Sequence, residues 1–427
     1  MVSNFFIMCE NTEVMLVNFD EGIYDVLNEE LLPFTIKGKL RKVLTYEEIK
    51  SQYDLTQSRI ASDRNKEAVI SWLANRTLSL SRKNAKWLYN LLHVEQLSTE
   101  TEKAKIAIIC RAVSILDNYW LKLDGDTATW ESINVRHNPL NEVIAQIALH
   151  GKSVTLCGSL TSPELTTNGT YAKAWRRHED GNLWLYKLGQ NGNTESRIEV
   201  MCSNLLDKMN VDHCHYEAGE DEDKYVCMCP SMTSDTLSIL PGMDFYTYCN
   251  VNSIDPNTEM FRIDAESIFK MWIVDYLLCN RDRHGQNWGF YYNPRTMHII
   301  CCHPLFDHNN AFDTEFMKDR EAPYQFCNMT IRDAAKYAMS RVDFHFTEEI
   351  AREDFITERQ YNEFIWRAKD IGVATYCTYD DLIRRYLNKH KVLLPLSIVY
   401  QYLPTTELDE CTMDSIIHHL PDTLKYK

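Results

Sequence analysis

No apolar run in the 427 residues approaches the roughly 18 needed to cross a bilayer, so a membrane partner is not expected. No basic run stands out either: 45 Lys and Arg face 61 Asp and Glu, giving a net charge of −16. A surface this acidic repels phosphate backbones, which argues against direct non-specific nucleic-acid binding. The 14 cysteines include no CxxC pair. Their tightest groupings, Cys227/Cys229, Cys301/Cys302 and His213-Cys214-His215, lack the spacing of a structural zinc site. The opening residues, MVSNFFIMCENTEVMLVNFD, lack a charged leader and a small-residue cleavage site. Reduced thiols buried as small hydrophobes, in a cytoplasmic protein, are therefore expected. Internal repeats and low-complexity segments are absent as well.

What remains is the composition of a soluble globular chain, 44% hydrophobic and 25% charged. Its length predicts two or three domains. Residues 1–150 read as a mostly helical domain opened by a short β-hairpin around Glu10-Asn11-Thr12-Glu13. Ser81 is expected to cap a helix through RKNAKWLYNLLHV, whose Ala85, Leu88, Leu91 and Leu92 form an apolar stripe. A second helix is expected through EKAKIAIICRAVSIL, and a third, NPLNEVIAQIALH, should stop at a left-handed Gly151. After it the pattern becomes strand (152–158), a Ser/Thr loop (SLTSPELTTNGT), strand (171–177), Asp-Gly turn, strand (183–188), helix (195–209), then two strands around the acidic turn 217–223. Such an order makes a small, mostly antiparallel sheet with one inserted helix over 151–230, an α+β arrangement. From 231 to 427 a larger helical part is expected. It contains a helix beginning at Asp264, a hairpin spanning 288–302, and helices over 331–341, 357–371 and 379–391. Thr357 and Gln360 make a capping box for the second of these.

The chemistry concentrates in Asn280-Arg281-Asp282-Arg283-His284-Gly285-Gln286-Asn287, between an apolar helix and the hairpin. Asp282 and Asn287 are five apart, and Asp307 follows beyond the hairpin. A protein-kinase catalytic loop has this Asp-to-Asn offset and a metal-binding Asp after a hairpin. The hairpin returns the chain to its start, so both hard oxygen donors converge. Capping residues often produce D-x-x-x-x-N alone; the upstream sheet adds weight. Lys187 lies inside the apolar strand LWLYKL, where an unpaired ammonium is costly. A phosphate and a carboxylate on the next helix would resolve that cost, Glu199 first and Glu195 second. The loop 159–170 offers hydroxyls and backbone N–H groups to phosphates, although it has few glycines. Cys229-Pro230 is placed as a hinge.

NRDRHGQNWGF followed by LFDHNNAF resembles the HipA-like serine/threonine kinases of bacteria, whose catalytic loop reads D-R-H-x-x-N. GSLTSPELTTNGTYAKAWRR and LYKLG are similar to the phosphate loop and nucleotide-lysine strand of a subgroup with a helical N-terminal extension. The resemblance spans about residues 150–400. It implies a bilobal protein-kinase-like fold and ATP- and Mg2+-dependent transfer to Ser or Thr hydroxyls of a protein substrate whose identity the residues do not give. Asp282 then acts as the base, Asn287 and Asp307 hold Mg2+, and Lys187, paired with Glu199, meets the phosphates. Ser159, Thr161, Ser162, Gly169, Cys229 and His284 are the further expected nucleotide contacts. His308-Asn309 stands where Phe-Gly follows the metal Asp in ordinary kinases, so the usual activation-segment control is not implied. HipA-like toxins work beside a DNA-binding antitoxin, a partner the resemblance implies here. Ser159, Thr161, Ser162, Thr166, Thr167 and Thr170 are candidate autophosphorylation sites. Two alternatives stay open: a kinase-fold AMP transferase or small-molecule kinase, and an inactive kinase-fold scaffold.

Overall fold

The computed structural model describes residues 4–92, 99–151, 162–167 and 169–373. The expected strand at 152–158 and helix at 379–391 lie outside these residues. By contact density the chain forms two compact units, residues 1–207 with 211–342, and residues 208–210 with 343–427. Both antiparallel sheets and helices contribute, so the class is mixed α and β. No helix among the described residues is long and apolar enough to cross a membrane.

The chain opens with β1 (Asn4–Cys9) and β2 (Thr12–Asn18), the expected hairpin. Two strands that hydropathy did not mark extend it, β3 (Ile23–Val26) and β4 (Tyr119–Leu123), in the order β3-β2-β1-β4. Phe5, Ile7, Val14 and Val17 of this sheet pack with Val69 and Leu73 of α1 (Gln52–Ala74) and with Ala104 and Ala107 of α3 (Glu100–Ile109). Between these helices, α2 (Ala85–Leu91) begins after Asn84, not Ser81, because Asn84 takes a left-handed φ of 69°. Ala85, Leu88 and Leu92 are buried as the stripe predicts. α3 stops at Ile109, well before the expected end: Arg111 and Ala112 have φ of 55° and 48°, which breaks the helical ladder. After the short α4 (Trp130–Ile133), α5 (Glu142–His150) ends at Gly151, φ 70°, as expected.

The second sheet contains β5 (Ala172–Arg177), β6 (Leu183–Leu188), β7 (Glu217–Asp221) and β8 (Lys224–Pro230), all antiparallel, in the order β5-β6-β8-β7. Glu222 and Asp223, both at positive φ, make the tight β7–β8 turn. Helix α6 (Thr194–Lys208) lies between β6 and β7 in the chain. Ala145 and Leu149 of α5 bury against Ala172, Ala174, Leu188 and Val226. The sheet thus gains a hydrophobic backing supplied by the preceding region.

Beyond it come β9 (Ser238–Pro241), α7 (Gly242–Val251), α8 (Pro256–Leu277), β10 (Gly289–Tyr292), β11 (Ile299–Cys302), α9 (Thr314–Lys318) and α10 (Ile331–Met339). The predicted hairpin β10–β11 gains β9 as a third strand, in the order β11-β10-β9. Asp264 interrupts α8 with extended φ of −157°. Its carboxylate accepts from Ser267 N and so caps the half that the sequence predicts, while its other oxygen accepts from Cys302 N on β11. Ile268, Trp272 and Tyr276 of that half are buried.

In the second unit, α11 (Glu358–Ile371) carries the predicted Thr357/Gln360 capping box. Phe346, Phe355 and Phe364 form its aromatic core, and Lys208 Nζ meets both oxygens of Asp354 at 2.7 Å.

Candidate active site

Antiparallel pairing places Lys187 of β6 opposite Lys173 of β5 on one side and Cys227 of β8 on the other. Two ammonium groups side by side under little solvent require carboxylates nearby. Lys187, 5% exposed, donates to Asp307 Oδ1 at 3.0 Å and to Tyr216 Oη at 2.8 Å, with Glu199 Oε1 at 3.8 Å. Helix periodicity brings Glu199 inward. Glu195, one turn earlier, instead accepts from Asn191 at 2.8 Å.

Burial opposes charge on all four groups; opposite charges outweigh it at Lys187 and Asp307, and burial prevails at Glu199 and Lys173. Burial alone would lower Lys187, but Asp307 and Glu199 raise it well above the ordinary lysine value. Burial would raise Asp307, yet Lys187 and then Lys173 hold it below the usual carboxylate range. Glu199 is raised, burial outweighing Lys187. Lys173 falls to about 7 through burial and the repulsion of Lys187. Asp307 sits at φ 62°, a left-handed conformation that a non-glycine residue adopts at some cost and that recurs at functional sites.

The loop after α8 is organised by Arg283. Its guanidinium donates to Asp275 of α8, to Asn287 O at 2.7 Å and to Phe306 O at 2.8 Å, and meets His308 Nε2 at 2.9 Å. One buried cation therefore joins the start of the hairpin to the residue before Asp307. Asn287 Nδ2 donates to Asp282 O at 2.9 Å, so its amide oxygen is the atom open to a cation. Asp282 Oδ2 accepts from Asn310 Nδ2 at 2.7 Å, and Asp307 Oδ1 accepts from Asn309 Nδ2 at 2.9 Å. His308 N donates to Glu199 Oε1 at 3.1 Å, completing a ring of contacts from β6 through α6 to the segment after β11.

These side chains face a cleft of about 480 Å³. Lys187, Asp282, His284, Asn287, Asp307, Gly169 and Cys229 all line it, together with Lys173. Of the other expected residues, Glu199 sits behind Lys187, and Ser162 is buried elsewhere, its hydroxyl donating to the Glu164 carboxylate. Ser159 and Thr161 fall outside the described residues. Leu185, Met232, Ile239 and Trp175 supply an apolar end to the cleft.

Sequence reasoning missed Lys173, Tyr216, Arg283, Asn309 and Asn310. Lys173 carried a signal, a cation alternating with alanines in YAKAWRR, directly opposite Lys187 once the turn is registered at Asp180-Gly181. Arg283 had none beyond its place in the loop, since its partners are 8, 4, 23 and 25 residues away.

No family model and no curated protein matches the chain. Among solved structures, the Helicobacter pylori proinflammatory kinase CtkA aligns with TM-score 0.36 and 12% identity, over 48% of this chain and 90% of that one. The Shewanella oneidensis MR-1 toxin–antitoxin complex of HipA, HipB and operator DNA aligns with TM-score 0.42 and 11% identity, over 97% and 94%. At such scores neither likeness decides fold or activity.

Proposed function

We propose that the chain is a kinase of bilobal, protein-kinase-like fold that transfers the γ-phosphoryl group of ATP to Ser or Thr hydroxyls of a protein. The observation that carries this reading is the ion pair of Lys187 with Asp307 at 3.0 Å, beside Glu199 at 3.8 Å, in a cleft also lined by Asp282 and Asn287. The sheet with α6 is the small lobe in this reading. Helices α7, α8 and α10 with the β10–β11 hairpin belong to the larger one.

Asn287 and Asp307 offer hard oxygen donors from the two ends of a hairpin, a set that fits Mg2+. When bound, Mg2+ would neutralise charge on the phosphoryl oxygens. The chain's own residues do the rest. Lys187 presents positive charge to the phosphates, Lys173 lines the cleft beside it, and the apolar end of the cleft takes the base. Asp282 orients the acceptor hydroxyl and receives its proton as the new O–P bond forms and the bond to the ADP oxygen breaks. Catalysis of this kind rests on positioning and electrostatics, which the Arg283 contacts supply by fixing Asn287 and Asp307 relative to each other. A cognate DNA-binding antitoxin is the partner proposed from the sequence resemblance.

The test is incubation of a cell lysate with Mg-ATP and the protein, followed by phosphoproteomics. New phosphoserine or phosphothreonine sites made by wild type and not by Asp282→Ala support the reading. Equal labelling by both proteins, or none by either, removes it.

A further inference from the structure

We propose a second cation site, separate from the cleft, in which Asp207, His213 and His215 bind a transition-metal dication of the Zn2+ class. Asp207 lies on the last turn of α6. The chain then reverses through Asn210, φ 50°, and returns along residues 211–216. His213 and His215 alternate with Cys214, as residues on one side of an extended segment do, and their ring centroids are 4.3 Å apart. One ligand atom from each of Asp207, His213 and His215 falls within 4.8 Å of the others. Asp207 Oδ1 is 3.3 Å from His215 Nδ1 and 3.9 Å from His213 Nε2. Ligands about 2.0–2.1 Å from a tetrahedral ion stand roughly 3.4 Å apart, so the group needs little closing.

The tautomer of His213 is set for coordination. Its Nδ1 donates to Val211 O at 2.8 Å, which leaves the lone pair on Nε2. Ser203 Oγ lies 3.0 Å from that nitrogen. Because Ser203 Oγ already accepts from Tyr216 N, its hydroxyl hydrogen goes to Nε2, and an ion would take the lone pair in its place. His213 is buried, whereas Asp207 and His215 have side chains 53% and 63% exposed. A fixed first ligand and two adjustable ones leave coordination positions for water. Two imidazole nitrogens with one carboxylate suit Zn2+, Co2+ or Ni2+ better than Mg2+ or Ca2+.

The position gives such an ion a consequence. Cys214 N donates to Leu305 O, and Leu305 N donates to Asp212 O, two residues before Asp307. Tyr216, next to His215, accepts from Lys187. An ion here clamps the end of α6 to the segment that bonds Lys187 and Leu305.

The experiment uses the full chain, stripped with chelator and titrated with Co2+, then Zn2+. One equivalent of Co2+ should bind with ligand-field bands free of thiolate charge transfer, and Zn2+ should displace it. Asp207→Ala and His215→Ala should each weaken binding about tenfold or more. Both side chains are exposed, so the metal-free variants should melt as wild type does. No stoichiometric binding, thiolate bands, or unaltered affinity in both variants would overturn the site.

Discussion

Arg283 and Asp275 form an ion pair, Nη2 to Oδ1 2.9 Å, in which neither side chain has any solvent exposure. Asp275 also accepts from Tyr324 Oη at 2.8 Å and from Asn280 Nδ2 at 3.0 Å. With its hydrogen bonds satisfied on both sides, the pair ties α8 to the two carbonyls flanking the hairpin.

Removing one partner leaves the other as an uncompensated buried charge, which costs about 3–5 kcal/mol. Arg283→Ala and Asp275→Ala should therefore both lower the urea midpoint strongly. Arg283→Lys keeps the charge but not the planar fork, and should lose most activity as well as stability. A midpoint for Arg283→Ala within error of wild type would show that the contacts to Asn287 and Phe306 do not hold the loop.

Asp282 behaves differently because its side chain is 36% exposed and lies in a loop. Asp282→Ala should reduce phosphoryl transfer by about 10²–10⁴-fold, the usual share of a positioned base, while the melting temperature barely moves. Transfer at the wild-type rate would reassign the proton acceptor.

Lys173 gives a pH signature. Its folded value, about 7, is depressed below the ordinary lysine value near 10.5. Between the two, the unfolded chain binds the proton and the folded chain does not, so stability gains from this group as pH rises. Below about pH 7 the ammonium is charged in both states and the burial penalty is felt in full. Urea midpoints of wild type minus those of Lys173→Met should thus increase from pH 7 to pH 9. A flat difference would mean that the lysine is charged throughout.

Autophosphorylation is testable in the loop before β5. Ser162 and Thr166 are buried and hydrogen bonded, whereas Thr170 is exposed and lines the cleft. Intact mass after Mg-ATP should show a phosphate that Thr170→Ala reduces and Asp282→Ala abolishes. A dianion at this position repels ATP phosphates and should slow later turnovers. An unchanged mass in wild type would remove this control.

Much of the scaffold was legible because it is governed by short-range rules. The Asp180-Gly181 turn, the Gly151 stop and the Thr357/Gln360 box are each fixed by a few neighbouring residues. The strands β3, β4 and β9 were not: each is only 4 to 5 residues long, and β4 and β9 exist by pairing with strands far along the chain. β4 joins β1 across more than a hundred residues, a contact no local pattern encodes. The same distinction divides the site. Asp282, Asn287 and Lys187 announced themselves by spacing and by a cation in an apolar strand.

By itself, then, the sequence determined the strand-helix-strand order around Lys187 and the five-residue offset from Asp282 to Asn287. Backbone geometry and hydropathy act over a few residues, so these could be read directly. Tertiary structure decided that Glu199 rather than Glu195 faces the lysine, and that Lys173 stands opposite it. It also decided that Arg283 bridges both ends of the hairpin and that Asp207 completes a group with two histidines. Those choices follow from long-range packing, where burial makes every charge seek a partner and the fold dictates which partners lie within reach.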